Sequence, residues 1–197
     1  MKKNFLNNKT MAKIAILSAV AFIVMYVDFP LPIAPSFYKI DLSEVVVLIG
    51  GFALGPLAAV IIEALKILLH LLFKGTQTMF IGELANFLIG IALVVPASLI
   101  YKKFKTRNSA IISLIVGTVS MCFFGVLLNY VLILPAYINI AQFPEEAILG
   151  MGQAIFPAIK DMFTFVIFCV LPFNFIKGGV VSIVTIILYK HISPLLK

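Results

Sequence analysis

Apolar residues fill this chain in long blocks separated by short polar or Pro-rich connections. Several blocks exceed the roughly 18 to 20 residues that one helix needs to cross about 30 Å of hydrocarbon. Read for spans, they predict six transmembrane helices, at about residues 10–28, 42–54, 56–73, 80–104, 109–140 and 158–189. The second is too short to cross without tilt or local thinning. The fifth is expected to break around Pro135, and the sixth leaves room for a re-entrant piece at its outer end. Too little sequence remains for a soluble domain, so residues 1–197 read as one all-α integral membrane domain surrounded by lipid.

Charge orients the bundle. Of 197 residues, 62% are hydrophobic and only 12% charged, with a net charge of +7. The basic residues gather beside the apolar blocks: Lys2, Lys3, Lys9 and Lys13, then Lys102, Lys103, Lys105 and Arg107, then Lys190 and Lys197. That is the positive-inside pattern of a multi-pass protein, not the basic face of a nucleic-acid binder. Six spans put both termini on the side of the basic 4–5 loop, the cytoplasm. The opposite connections are "FPLPIAPSFYKID", "KGTQT" and the long acidic "NIAQFPEEAILGMGQAIFP", and loops of that length usually cover something. Small residues lie within the first apolar block rather than after it, so that block is expected to be retained as a helix and not cleaved as a signal peptide. Cys122 and Cys169, inside apolar runs without metal spacing, read as packing residues.

An ionisable group at bilayer centre costs at least about 2.5 to 3.5 kcal/mol, which makes each one a functional hypothesis. Helix rise gives their depth. Lys177 precedes Lys190 by 13 residues, which puts it roughly 20 Å from the inner interface, with Asn174 one turn further out. The same arithmetic puts Glu83, Asn86 and Asn129 in the outer half, and Asp41 and Glu44 open the second helix from the outer loop. These polar groups converge at one depth, as the lining of a small-molecule pocket open to the outside. Phe29, Phe37, Tyr38, Phe80, Phe87, Phe173 and Phe175 flank them, a mixture suited to a flat ring with hydrogen-bonding edges. The competing reading is that the groups only satisfy one another, with Lys177 paired to Glu83 and the asparagines joining helices. On the third helix, Glu63, Lys66 and His70 share a face; there an internal Glu63–Lys66 ion pair and a structural His70 are expected. Glu145 and Glu146 read as solvated loop charges.

Ala15 and Ala19 on the first helix, and Gly51 and Gly55 on the second, have the small-xxx-small spacing that lets helices approach closely. No phosphate loop, zinc-protease motif, nucleophile elbow or paired-carboxylate motif occurs, and the chain lacks the doubled architecture usual in ion-coupled carriers. It therefore reads as a binding protein, not an enzyme, with no catalytic residue, metal or resident cofactor, that borrows its motor from other subunits.

Four blocks, "FPLPIAPSFYKIDLSEV", "IGGFALGP", "GELANFLIG" and "NFIKGG", occur in an order that closely resembles the riboflavin-specific S components of energy-coupling factor (ECF) vitamin transporters, and the similarity runs over essentially the whole chain. The resemblance implies a six-helix protein of a bacterial cell membrane. It also implies capture of riboflavin from outside and work with a transmembrane T component and two cytoplasmic ATPases. It further implies that Asp41, Asn129, Asn174 and Lys177 contact the ligand, together with Tyr38, Glu83 and Asn86, and that Ala15 and Ala19 face the T component. An S component for another vitamin is the nearest rival; an intramembrane enzyme or stand-alone carrier, using Glu63, Lys66 and His70, is the reading from a different class.

Overall fold

A computed structural model describes residues 7–192. Lys2, Lys3 and Lys197 of the basic clusters lie outside the described residues, as does the side chain of Lys190. Helix α1 (Asn8–Met25) starts at Asn7, whose Oδ1 accepts the Thr10 N–H at 2.7 Å and so satisfies one of the donors that a helix start leaves free. The first outer connection folds into a small antiparallel ladder, β1 (Phe29–Pro30) with β2 (Lys39–Ile40). Helices α2 (Ser43–Leu54), α3 (Pro56–Lys74) and α4 (Ile81–Phe104) follow. Then come α5 (Arg107–Asn139), the short α6 (Glu145–Gln153) and α7 (residues 162–192). Five of these helices are long and apolar enough to cross a membrane, and α2, at 12 residues, rises only about 18 Å.

Helix α5 does not break at Pro135. A turn of π-helix, Asn129–Ile133, directly precedes it, closed by the Leu134 N–H on the Asn129 carbonyl. Helix α7 repeats the device: the π turn Val166–Val170 ends on a bond from Leu171 N–H to Val166 O, just before Pro172. A proline ring clashes with the carbonyl four residues back and offers it no donor. Widening the preceding turn by one residue accommodates the ring and keeps the helix continuous. At the outer end of the sixth span, α7 begins at Met162 with Asp161 and Thr164 forming a reciprocal cap, and the preceding loop holds the separate helix α6. Glu145 and Glu146 are exposed in the first turn of α6, where negative charge suits the helix dipole.

Two apolar clusters hold the bundle. The larger joins α1 to α5 and α7 through Leu48, Phe52, Ile62, Leu93, Leu114 and Val181. The other, at the outer end, packs Ala34 and Ile40 of the first connection and Ile148 of α6 on Leu134, Phe165 and Val170. Both cysteines are buried. Gly51 lies on a close contact, since a Cβ there would collide with Ser98 Oγ of α4. Gly55 does not share that face. It turns the corner between α2 and α3 at φ 99°, a conformation that glycine adopts without strain. Ala15 and Ala19 are exposed on α1.

Candidate functional site

Asp41, two residues before α2, builds the first wall of the site. Leu42, at the helix start, has no capping side chain, so the Asp41 carboxylate does that work: Oδ1 accepts the Ser43 N–H at 2.9 Å and also the Ser43 hydroxyl. Its other oxygen, Oδ2, lies 3.2 Å from the Lys177 ammonium of α7. Burial alone would raise the Asp41 pKa. The Lys177 and Lys66 charges and the Ser43 hydrogen bonds outweigh it and hold the carboxyl well below the usual carboxylate range. Lys177 also lies 3.4 Å from Glu44 Oε1 and donates to Asn86 Oδ1 at 3.4 Å. The pairing of Lys177 with Glu83 considered from the sequence does not form. Glu83 instead accepts the hydroxyls of Thr76 at 3.1 Å and Thr78 at 2.9 Å, fastening the α3–α4 turn, where Met79 and Phe80 take positive φ.

The two π turns place the amides. Asn129 opens the turn in α5, donates Nδ2–H to Gly125 O at 2.8 Å and accepts the Tyr38 hydroxyl on Oδ1 at 2.8 Å. Asn174 follows the turn in α7 and donates Nδ2–H to Val170 O at 3.0 Å. Gly125 makes room for it: a Cβ there would stand 2.5 Å from Asn174 Nδ2. Tyr38 carries the first connection onto α5, its ring 5.4 Å from that of Phe173 and 4.6 Å from that of Phe37. Burial, then the neighbouring Tyr137, raises the phenol pKa, so Tyr38 stays a hydrogen-bond donor.

These side chains surround a cavity of about 600 Å³, within the range of small-molecule sites. Tyr38, Asp41, Glu83, Asn86, Asn129, Asn174 and Lys177 all line it. Of the flanking aromatics, Phe37 and Phe173 line the cavity, whereas Phe29, Phe80 and Phe175 are 50%, 61% and 67% exposed and point away from the core. Phe87 is not in the wall. Tyr137, His70, Lys74, Asp28 and Lys39 are lining residues that the sequence reading did not select. Tyr137 lies beyond Pro135, where a helix break would have carried it into the loop. At the rim, Asp28 accepts from Lys39 at 3.3 Å and from Lys74 at 3.2 Å. Glu63 and Lys66 do pair, at 2.8 Å. His70 differs from the expected satisfied residue, since its Nδ1 is buried without a partner among the described residues. No cluster of metal-ligating side chains occurs among the described residues.

The arrangement offers the Lys177 ammonium in the wall and those of Lys39 and Lys74 at the rim, carboxylate and amide acceptors, the phenols of Tyr38 and Tyr137 and flat apolar walls, which is the chemistry of binding a ring with several polar edges. A family model described as ECF transporter, substrate-specific component, matches residues 9–189. The chain belongs to that family. Among relatives of this S component is the riboflavin transporter FmnP of Bacillus subtilis (strain 168), 33% identical over 94% of this chain and 93% of its own. Another is the riboflavin transporter RibU of Staphylococcus aureus (strain TCH60), 34% identical over 100% of this chain and 96% of its own. A solved structure of the S component of a bacterial ECF transporter superposes with a TM-score of 0.74 at 35% identity, covering 96% of this chain and 98% of the other. The family is one of transporter components, which sets aside the intramembrane enzyme.

Proposed function

We propose that this S component captures riboflavin in the cavity from the outer face of a bacterial cell membrane and delivers it for ATP-driven uptake. The observation that carries the reading is a cavity of about 600 Å³, with apolar walls and a few converging polar side chains, in a chain that aligns over nearly its full length with two riboflavin transporters. Riboflavin has carbonyl acceptors and an imide donor on one ring edge and hydroxyls along the ribityl chain. Asn129, Asn174 and Asn86 supply both donor and acceptor, Lys177 donates, and the Asp41 carboxylate accepts. Phe37, Tyr137 and Phe173 offer the faces for the tricyclic ring. In this desolvated site a ligand lacking one polar edge would leave a buried group unpaired, which is the source of selectivity.

The topology proposed with this function has six spans, α2 crossing by tilt or in a thinned bilayer, and both termini in the cytoplasm beside the basic α4–α5 turn. The exposed Ala15 and Ala19 form the face for the T component, which couples the S component to two cytoplasmic ATPases. The test is purification in detergent followed by titration with riboflavin. Flavin absorption bands and saturable quenching of flavin fluorescence at one ligand per chain are expected. A chain that stays colourless and quenches nothing would refute the reading.

A further inference from the structure

A second layer of charge lies behind the cavity wall. Glu44 on α2 and Glu63 and Lys66 on α3 have fully buried side chains, and none of them lines the cavity. Lys66 Nζ stands 2.8 Å from Glu63 Oε1, 3.4 Å from Glu44 Oε2 and 2.9 Å from Ser43 Oγ. An internally neutralised pair accounts for Glu63 and Lys66. It does not account for Ser43 and Glu44, each of which bridges from Lys66 to a residue of the cavity. Ser43 Oγ holds Asp41 Oδ1 and meets Glu44 Oε2 at 2.7 Å, while Glu44 Oε1 reaches Lys177 at 3.4 Å. Lys66 donates into the Ser43 oxygen, so the single hydroxyl proton is directed at the two carboxylates.

We propose that Ser43, Glu44 and Lys66 are positioning residues for the ligand: they fix Asp41 Oδ2 and the Lys177 ammonium in the cavity wall without touching the ligand themselves. A lysine head on a four-carbon stem is otherwise mobile, and a site arranged in advance spares the ligand the cost of ordering it. The inference rests on the riboflavin reading.

The test is a double-mutant cycle on riboflavin affinity in detergent. Ser43→Ala changes no charge and removes a hydrogen bond to a carboxylate, so it should weaken binding about tenfold; Ser43→Thr, which keeps the hydroxyl, should restore it. In an Asp41→Ala background Ser43→Ala should cost less than in the wild type, because the route through Asp41 is gone and only the one through Glu44 to Lys177 remains. Melting temperatures are recorded alongside, since a general loosening of the bundle would weaken binding equally in both backgrounds. If Ser43→Ala does not fold, Glu44→Gln is taken through a cycle with Lys177→Ala, the cavity residue that Glu44 contacts. Unchanged affinity or an additive loss, with wild type binding normally, overturns this inference alone. Absence of riboflavin binding by the wild type overturns the functional reading and this inference with it.

Discussion

Lys177→Ala tests the charge arrangement without reference to any ligand. The Lys177 side chain is 6% exposed and pairs with the buried carboxylates of Asp41 and Glu44, while Lys66 pairs with Glu44 and Glu63 in the same cluster. Truncation leaves three carboxylates facing one ammonium. Breaking a buried ion pair by removing one partner costs about 3 to 5 kcal/mol, because the remaining charge is uncompensated. For a chain of this size each kcal/mol moves the melting temperature by roughly 2 to 4 °C, so Lys177→Ala should melt roughly 6 to 20 °C lower. Adding Asp41→Asn removes one of the orphaned charges and should recover part of the loss, making the double variant more stable than Lys177→Ala alone. Thermal unfolding in one detergent, followed by tryptophan-independent means such as circular dichroism because the chain has no Trp, measures both. Lys177→Ala melting with the wild type, or a double variant less stable than the single, would refute the pairing.

Tyr38→Phe deletes the donor on Asn129 Oδ1 and should weaken riboflavin binding by about 1 to 3 kcal/mol, read by titration; unchanged affinity would remove Tyr38 from the binding site. Gly90→Ala should lower both melting temperature and affinity, since its Cβ would stand 2.5 Å from Glu63 Oε1 and disturb the charge layer. Ala19→Trp, on an exposed face, should leave riboflavin binding intact and impair uptake in cells that carry the partner subunits; lost binding would contradict the assignment of that face. Asp41 has a depressed pKa in the folded chain, so its stabilisation is complete above the ordinary value of about 4 and is lost as pH falls through the lower native value. The melting temperatures of wild type and Asp41→Asn should therefore differ from neutral pH down to about pH 4 and converge only in stronger acid.

Length and hydropathy made α1, α3 and α4 legible to within a few residues, because a lipid-exposed helix must be apolar for its whole crossing. Proline was the ambiguous sign. Pro135 and Pro172 mark π turns rather than breaks, and no local pattern separates the two outcomes, since neighbouring helices decide whether the freed carbonyls are re-satisfied. Depth along the helix placed Asp41, Glu83, Asn86, Asn129, Asn174 and Lys177 at one level, and all six line the cavity, but it also placed Glu44 there, which lies behind the wall. Azimuth is what the sequence lacked: it could not tell that Phe175 points outward while Phe173 points in, or that Lys177 turns to Asp41 and Glu44 rather than to Glu83. Gly90 and Gly125 were silent for the same reason, each being small only because a polar side chain of another helix, Glu63 or Asn174, presses against it.

A cavity whose charges are already paired is sometimes taken to be merely structural, and the energetics argue the other way here. An unpaired Lys177 or Asp41 in a bundle surrounded by hydrocarbon would cost several kcal/mol whenever the site was empty, and the ligand would have to repay that before binding at all. Pairing Lys177 with Asp41 and Glu44 keeps the empty state stable. Its third donor goes to Asn86 at 3.4 Å, a long and weak bond that a ligand carbonyl can replace while freeing the Asn86 amide to meet the ligand as well. On the proposed reading, binding would exchange one neutral acceptor for another and leave the ion pairs intact. A carbonyl in the right place would gain from that exchange and a ligand without one would not, so under the proposed function the pairing that stabilises the empty bundle would also make the site selective.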